Sequence, residues 1–206
     1  MLWRVSQPGP QRSAPPGFIK PAQPVLVTSA PKRGGWLHEV KHDGWRLIAR
    51  RWPDGRVTLW SRSGLDWTGR LTLIRSALLA LPVRSVVLDG EAIVPRPDLT
   101  SDFHALRQGP GQRQAILMAF EFLELNGEDM RRHVLRHRRE VLAGVTLFQP
   151  DGLRLSEAIE GPGDLVFRKA CELGLEGVVS KRLNSLYQSG RTRAWVKTKC
   201  QAYLRG

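Results

Sequence analysis

The stretch from Trp36 to Arg62 constrains the fold most, because three short apolar runs follow one another there. They are "WLHEVK", "WRLIARRW" and "RVTLWSR", with "PDG" at 53–55 as a hairpin turn between the last two. Runs of this length rich in aromatic and β-branched residues read as strands, and the sequence predicts an antiparallel meander. Alternate side chains of a strand share a face, so Glu39, Lys41 and Asp43 are expected to project together while Val40 enters the opposite layer.

After the meander, "DWTGRLTLIRSALLALP" has helical spacing, with Asp66 or Thr68 as N-cap and Pro82 just past the end. "SVVLDGEAIVP" predicts a buried hairpin around Asp89 and Gly90, "DFHALRQ" a short helical piece, and "AILMAFEFLELNGEDMR" a strand leading to a turn at Asn126 and Gly127. "RRHVLRHRREVLAGV" reads as a very basic amphipathic helix; the helix "GDLVFRKACELG" and the strands "GVVSKRL" and "AWVKTKC" complete the pattern. Residues 1–35, rich in Pro, Gly and Ser around "FIKPAQPVLV", read as an arm laid over the core, flexible in its first half. With no repeat, heptad seam or recurrent βαβ unit, residues 36–200 are expected to form an α+β domain with mainly antiparallel sheets.

At 206 residues and 41% hydrophobic content the chain can bury a core, which excludes disorder throughout. Lys and Arg number 32 against 19 Asp and Glu, a net charge of +13 that suits a polyanionic partner and equally suits an arginine-rich genome. Cys171 and Cys200 show neither a pairing pattern nor metal-ligand spacing, so reduced thiols in a cytosolic protein are expected. No stretch approaches the length of a membrane span, and a soluble intracellular protein is predicted.

A lysine becomes a nucleophile when its ammonium loses a proton, which nearby cations or desolvation promote. "WVKTK" sets Lys197 and Lys199 on one strand face and "SK" adds Lys181; convergence of these on Lys41 would lower its pKa and bind phosphate. Glu91 in "LDGEAIV" and Glu176 before Gly177 could hold Mg²⁺ or a ribose hydroxyl, although taken singly each, like Lys41, reads more simply as a turn residue. His133 and His137 stand one helical turn apart with no third ligand nearby, so a solvated basic face for a DNA backbone is preferred to a metal site. Trp36, Trp45 and Trp195 read as packing or rim residues, and of Phe120 and Phe122 the latter is assigned to the core. "SDFHAL" lacks the nucleophile elbow of a hydrolase, and there is no P-loop.

"KHDGWR", "SRSG", "LDGE", "AFEFLELNGE", "EGVVSK" and "WVKTK" occur in that order, joined by "DWTGRL", "DFHAL" and "YQSGRTRAW". This series is similar to the motifs of the ATP-dependent DNA ligases of the covalent nucleotidyltransferase superfamily, in particular the ligase module of bacterial nonhomologous end-joining ligases, from about Pro16 to Lys199. The resemblance implies a covalent nucleotidyltransferase (ATP-grasp-like) fold with two mainly antiparallel β-sheets flanked by helices, dependence on ATP with Mg²⁺ or Mn²⁺, DNA ends or nicks as partners, a monomer, and work in the cytoplasm at the bacterial nucleoid. It further implies that Lys41 attacks the α-phosphorus of ATP and carries AMP to a DNA 5′-phosphate.

By the same resemblance Glu39 contacts the adenine amino group, Arg46 the sugar or phosphate, Arg62 ribose and DNA phosphate, and Phe120 stacks on adenine. Glu91 contacts ribose or the metal, Glu176 the metal, and Lys181, Lys197 and Lys199 the α-phosphate, the last two also orienting the leaving group; Asp43 positions the lysine or the metal. Two departures stand out: Glu121 follows Phe120 where the family has Asp, and the chain stops at Gly206 where the family continues into an oligonucleotide-binding (OB-fold) domain. A slow charging step and a separate OB-fold or end-binding partner are therefore expected. The rival readings are an RNA ligase or capping-type guanylyltransferase, and a non-catalytic DNA-end-binding module.

Overall fold

The computed structural model describes residues 17–97, 100–147 and 150–201; the expected flexible start of the arm and residues 202–206 of the tail lie outside them. Two sheets form the frame. One has the order β1 (Ala22–Leu26), β11 (Gly190–Lys199), β10 (Gly177–Arg182), β2 (Trp36–Val40) and β9 (Ala158–Glu160), antiparallel except where β1 runs parallel to β11. The other has the order β4 (Val57–Ser61), β3 (Trp45–Arg51), β5 (Val86–Ile93), β6 (Ile116–Leu125) and β7 (Glu128–Asp129), with β8 (Leu153–Leu155) parallel to β6.

The expected meander is corrected on one point. β3 and β4 pair as predicted, but β2 belongs to the other sheet, so the chain changes sheets within "KHDG". Periodicity marks each strand's faces without naming its neighbour. The hairpin expected at Asp89 and Gly90 does not form either: β5 runs unbroken from Val86 to Ile93, paired along both edges, as befits a central strand buried on two faces. The arm's apolar island becomes the edge strand β1.

The second sheet is covered on both faces. Helix α1 (Thr72–Ala80) packs Ile74 and Leu78 on one face against Leu47, Leu59, Leu88 and Phe122. Neither Asp66 nor Thr68 caps it; Asp66 instead accepts from Thr68 in the preceding turn, and the helix begins at Thr72 after Leu71. On the opposite face Ile48, Val87, Phe120 and Leu123 meet Ala22, Tyr187 and Trp195, which joins the two sheets. Residues two apart in an unbroken strand share a face, yet Phe122 and Phe120 are divided between these cores. Register shifts beside Leu88 and Gly90 supply the reason: Leu123 and Phe120 are extra residues of β6, and each bulge resets the alternation.

The smaller helices are α2 (Phe103–Leu106), capped by Asp102, and α3 (Gly109–Gln114). A 3₁₀ turn at Met130–Arg132 precedes α4 (Leu135–Thr146), so the basic helix starts later than its pattern implied. α5 (Gly163–Glu172) lies against β2 and β10. The thiols expected to be free are instead joined: Cys171 of α5 and Cys200 form a disulfide with Cα atoms 5.5 Å apart. Sequence spacing carries no such distance; the pairing of Gly177 with Lys199, extended by the Cys200 amide donating to the Glu176 carbonyl (3.0 Å), brings the two cysteines together. None of the described helices is long and apolar enough to cross a membrane.

α4 is tied to β6 by a fully buried ion pair in which Arg138 donates Nε and Nη2 to the two carboxylate oxygens of Glu121, at 2.7 and 2.6 Å. Removing one partner strands the other charge in the core. Arg138→Met is therefore expected to destabilise the fold by about 3–5 kcal/mol in urea denaturation, while adding Glu121→Leu recovers most of the loss. A single-variant loss under about 1 kcal/mol would show that the pair does not hold the helix.

Candidate active site

Sheet register assembles the site. Glu39, Val179 and Lys197 lie directly across from one another in β2, β10 and β11, with Leu26 of β1 next in the row. Leu37, Lys181 and Trp195 form the neighbouring row on the same face, two residues along. Arg46, Glu91 and Phe120 come from the opposing sheet, and together they line a cleft of about 370 Å³. That size suits a small-molecule ligand, for which sites of roughly 300–1,000 Å³ are usual.

The inner end holds buried charge. Glu39 is 2% exposed; its Oε2 lies 2.7 Å from the Lys181 ammonium, while Oε1 makes no hydrogen bond and stands 3.4 Å from Arg139 Nη1. Lys181 Nζ also donates to the Phe120 carbonyl (3.1 Å) and sits 4.2 Å from the Trp195 ring centroid. Burial lowers the Lys181 pKa, opposed chiefly by Glu39. The bulge directs the Phe120 ring here, 4.4 Å from the Arg46 guanidinium. Arg46 is already engaged: Nε and Nη2 donate to Asp89 at 2.5 and 2.8 Å, and Tyr187 donates to the same carboxylate (2.7 Å). Burial opposes the Arg46 charge, but Asp89 more than compensates and its pKa is raised.

The outer end gathers amines. The Lys41 amide extends the β2–β10 ladder by donating to the Gly177 carbonyl (3.0 Å). Its Nζ meets Glu176 Oε2 at 2.5 Å, and Glu176 Oε1 meets Lys199 Nζ at 2.7 Å. Glycines let the backbone approach its neighbours closely beside this end: a Cβ on Gly44 would collide with the Ala92 carbonyl, and one on Gly177 with that of Thr198. Lys197 has its pKa lowered by burial, then by Lys41, Lys199 and Arg62. Glu91 is pushed up to about 7 by burial, with Arg46 and Lys41 pulling the other way. Exposed Arg62 and Arg191 flank the cleft.

Glu39, Lys41, Arg46, Arg62, Glu91, Phe120, Lys181 and Lys197, all singled out in the sequence, line this one cleft. Glu176 and Lys199 adjoin it through Lys41. Asp43 is not among its lining residues, and the carboxylate set against Lys41 is that of Glu176. Sequence reasoning missed Arg139, Asp89 as the anchor of Arg46, and His42, which lines the cleft and bonds Ser156 Oγ through Nε2 (3.0 Å). Only adjacency to Lys41 pointed towards His42. Among the described residues no group of three or more His, Cys, Asp or Glu side chains is gathered for a metal ion.

An aromatic ring and an unspent buried acceptor at one end, with lysines at the other, suit a ligand with a flat amino-bearing ring and a polyanionic tail. The sheets and the lysine-lined cleft define a nucleotidyltransferase domain of the ATP-dependent ligase type. The chain belongs to the ATP dependent DNA ligase domain family, which matches residues 24–199. It is 41% identical over 192 residues to the multifunctional non-homologous end joining protein LigD of Pseudomonas aeruginosa, covering 90% of this chain and 22% of that protein. It is 35% identical over 181 residues to LigD of Mycobacterium tuberculosis, covering 85% of this chain and 24% of that protein. The ligase domain of M. tuberculosis LigD superimposes with a TM-score of 0.75 at 33% identity, over 88% of this chain and 60% of that one. A mycobacterial DNA ligase D complexed with ATP and MES gives a TM-score of 0.74 at the same identity and coverage. The chain thus spans less than a quarter of the length of these two LigD proteins.

Burial, reinforced by Lys41 and Lys181, lowers the His42 pKa from 6.5 to about 4. The unfolded chain takes up this proton between pH 6.5 and 4 while the folded chain does not, so the His42 contribution to stability is lost as pH falls through that window. An imidazole NMR titration should give a midpoint near 4, and His42→Asn should gain stability relative to wild type as pH falls from 6.5 to 4. A midpoint near 6.5 would contradict the burial of this ring.

Proposed function

We propose that this chain is the adenylation core of an ATP-dependent DNA ligase that joins DNA ends during non-homologous end joining. The single observation that carries the reading is the convergence of Lys41, Lys181 and Lys197 on one cleft whose inner end holds the Glu39 acceptor and Phe120. In this reading the base lies between Phe120 and the wall of β10, its amino group donating to Glu39 Oε1. The phosphates face Lys41, Lys197 and Lys199 at the outer end, whose charge offsets the negative charge that grows on the transferring group.

Lys41, oriented by the adjacent Glu176 carboxylate, gives up an ammonium proton to solvent, and its nitrogen attacks the α-phosphorus. One N–P bond forms, the bond to the bridging oxygen breaks, and pyrophosphate leaves with that bond's electron pair. AMP then passes to a DNA 5′-phosphate and frees Lys41, and a 3′-hydroxyl displaces AMP as the strand closes. Arg62 and Arg191 at the rim suit contacts to DNA phosphate, and their affinity would fall with salt. Glu91 and Glu176 fit a Mg²⁺ or Mn²⁺ ion that takes its other ligands from phosphate and water, because hard cations of this kind need only one or two protein carboxylates. Such an ion would supply charge neutralisation on the phosphates. The protein would act as a monomer in the bacterial cytoplasm, at the nucleoid, alongside an end-binding repair protein and an OB-fold domain.

Incubation with Mg²⁺ and α-labelled ATP should yield an acid-labile protein adduct that Lys41→Ala abolishes, a fall of at least about a hundredfold for loss of the nucleophile. Label retained by Lys41→Ala, or failure of the wild type to take up label, would defeat this assignment. Transfer of label from the isolated adduct to nicked DNA separates the ligase from an end-binding module, and label from ATP in preference to GTP separates it from a guanylyltransferase.

A further inference from the structure

α4 presents successive arginines to two different buried acids. Arg138 spends its fork on Glu121, whereas Arg139 points to the inner end of the cleft. Its Nη2 donates to the Ser156 carbonyl at 2.7 Å, and Ser156 is fully buried, with its amide donating to Ala119 in β6 at 2.8 Å. This fixes the guanidinium with Nη1 3.4 Å from Glu39 Oε1, where neither atom makes a hydrogen bond. The side chains are only 13% and 3% exposed, so the attraction is little screened. Arg139 therefore places positive charge beside Oε1 without using the lone pairs of that oxygen. Lys181 cannot substitute, because it binds the other oxygen, Oε2.

We propose that Arg139 is a positioning residue that sets base specificity through Glu39: its guanidinium, fixed on Ser156, holds the carboxylate as an open acceptor, so that the cleft selects a purine bearing an amino group there over one bearing a carbonyl oxygen. The inference rests on the nucleotide reading of the cleft given above. An ionised carboxylate can only accept hydrogen bonds, so the 6-amino group of adenine pairs with it and the 6-oxo group of guanine meets a second acceptor. Sites built to bond one substrate group reject the analogue that leaves buried groups unpaired. Without Arg139 one buried oxygen loses its counter-charge, and a proton or a rotated carboxyl group there can serve a carbonyl oxygen instead.

The test measures Kd for the α,β-methylene analogues of ATP and of GTP, whose α-phosphoryl group cannot be transferred, by titration calorimetry on the whole chain with Mg²⁺, for wild type, Arg139→Gln and Arg139→Lys, with folding checked by circular dichroism. The wild type should prefer ATP. Arg139→Gln should cut the GTP-to-ATP ratio of Kd values on the order of tenfold, the factor expected for one charge-assisted contact. Arg139→Lys should lower the ratio by less than Arg139→Gln does, because the charge stays while the fork that fixes it on Ser156 is lost. A purely structural role would weaken both nucleotides alike and leave the ratio unmoved, and that result in Arg139→Gln overturns the proposal, as does a wild type without preference for ATP. Should Arg139→Gln fail to fold, Arg139→Met takes its place: a tenfold fall in the ratio supports the role of charge, and an unmoved ratio overturns it. Because binding is read without the covalent step, absence of a lysyl adduct in the labelling assay counts against the ligase reading alone.

Discussion

Lys181 is 1% exposed, and its charge is met by Glu39 2.7 Å away on the adjacent strand. Neither group could be buried alone without a cost of several kcal/mol, so each strand supplies the condition for burying the other. The ammonium also donates to the Phe120 carbonyl, which belongs to the opposing sheet. A bulge explains why that contact is available: the residue left out of the β5–β6 pairing turns its ring to the cleft. The Arg46–Asp89–Tyr187 cluster adds a second bridge, since Arg46 of one sheet lies 3.3 Å from the Ala22 carbonyl of the other and Tyr187 reaches both Asp89 and the Ala22 amide. The sheets are thus joined by polar contacts around an apolar cluster, and the cleft opens between them.

This arrangement divides the cleft electrostatically. At the inner end Glu39, Glu121 and Asp89 are matched by Lys181, Arg138 and Arg46, so nearly every buried charge has a partner. Towards the mouth, Glu176 is shared between Lys41 and Lys199, while Lys197 is held near both and near Arg62. The lowered pKa of Lys197 records its burial first and then that surplus positive charge. A polyanion brought to the mouth relieves the repulsion among these groups, whereas the inner end offers no such gain. Orientation of a ligand with one charged and one neutral end follows from this gradient.

Much of the site was legible because strand periodicity and order are local. "GVVSK" and "WVKTK" place their lysines on single faces, and antiparallel pairing makes those faces coincide. Pairing partners were not legible: β2 went to a different sheet from β3, and the three-residue strands β8 and β9 are too short to show a period. "LDGE" looked like a turn because Asp and Gly favour turns, but burial on both faces overrode that propensity. Cys171 and Cys200 are 29 residues apart and meet only through the β10–β11 register. Arg139 was lost in a basic run in which every arginine reads alike, and only the helix phase separates the buried Arg138 and the half-buried Arg139 from the exposed Arg136.

That phase gives Glu121 a physical meaning. The resemblance leads one to expect the shorter Asp after Phe120, and the longer side chain here reaches across to α4 and takes both prongs of Arg138. A fork of two parallel bonds fixes rotation about the helix axis as well as distance. Successive residues of a helix point about 100° apart, so once Arg138 is committed to Glu121 the direction of Arg139 is committed too. It falls over Ser156 and Glu39. A carboxylate outside the cleft lining thereby sets the charge that faces the Glu39 acceptor, through a single step along the helix and without touching a ligand.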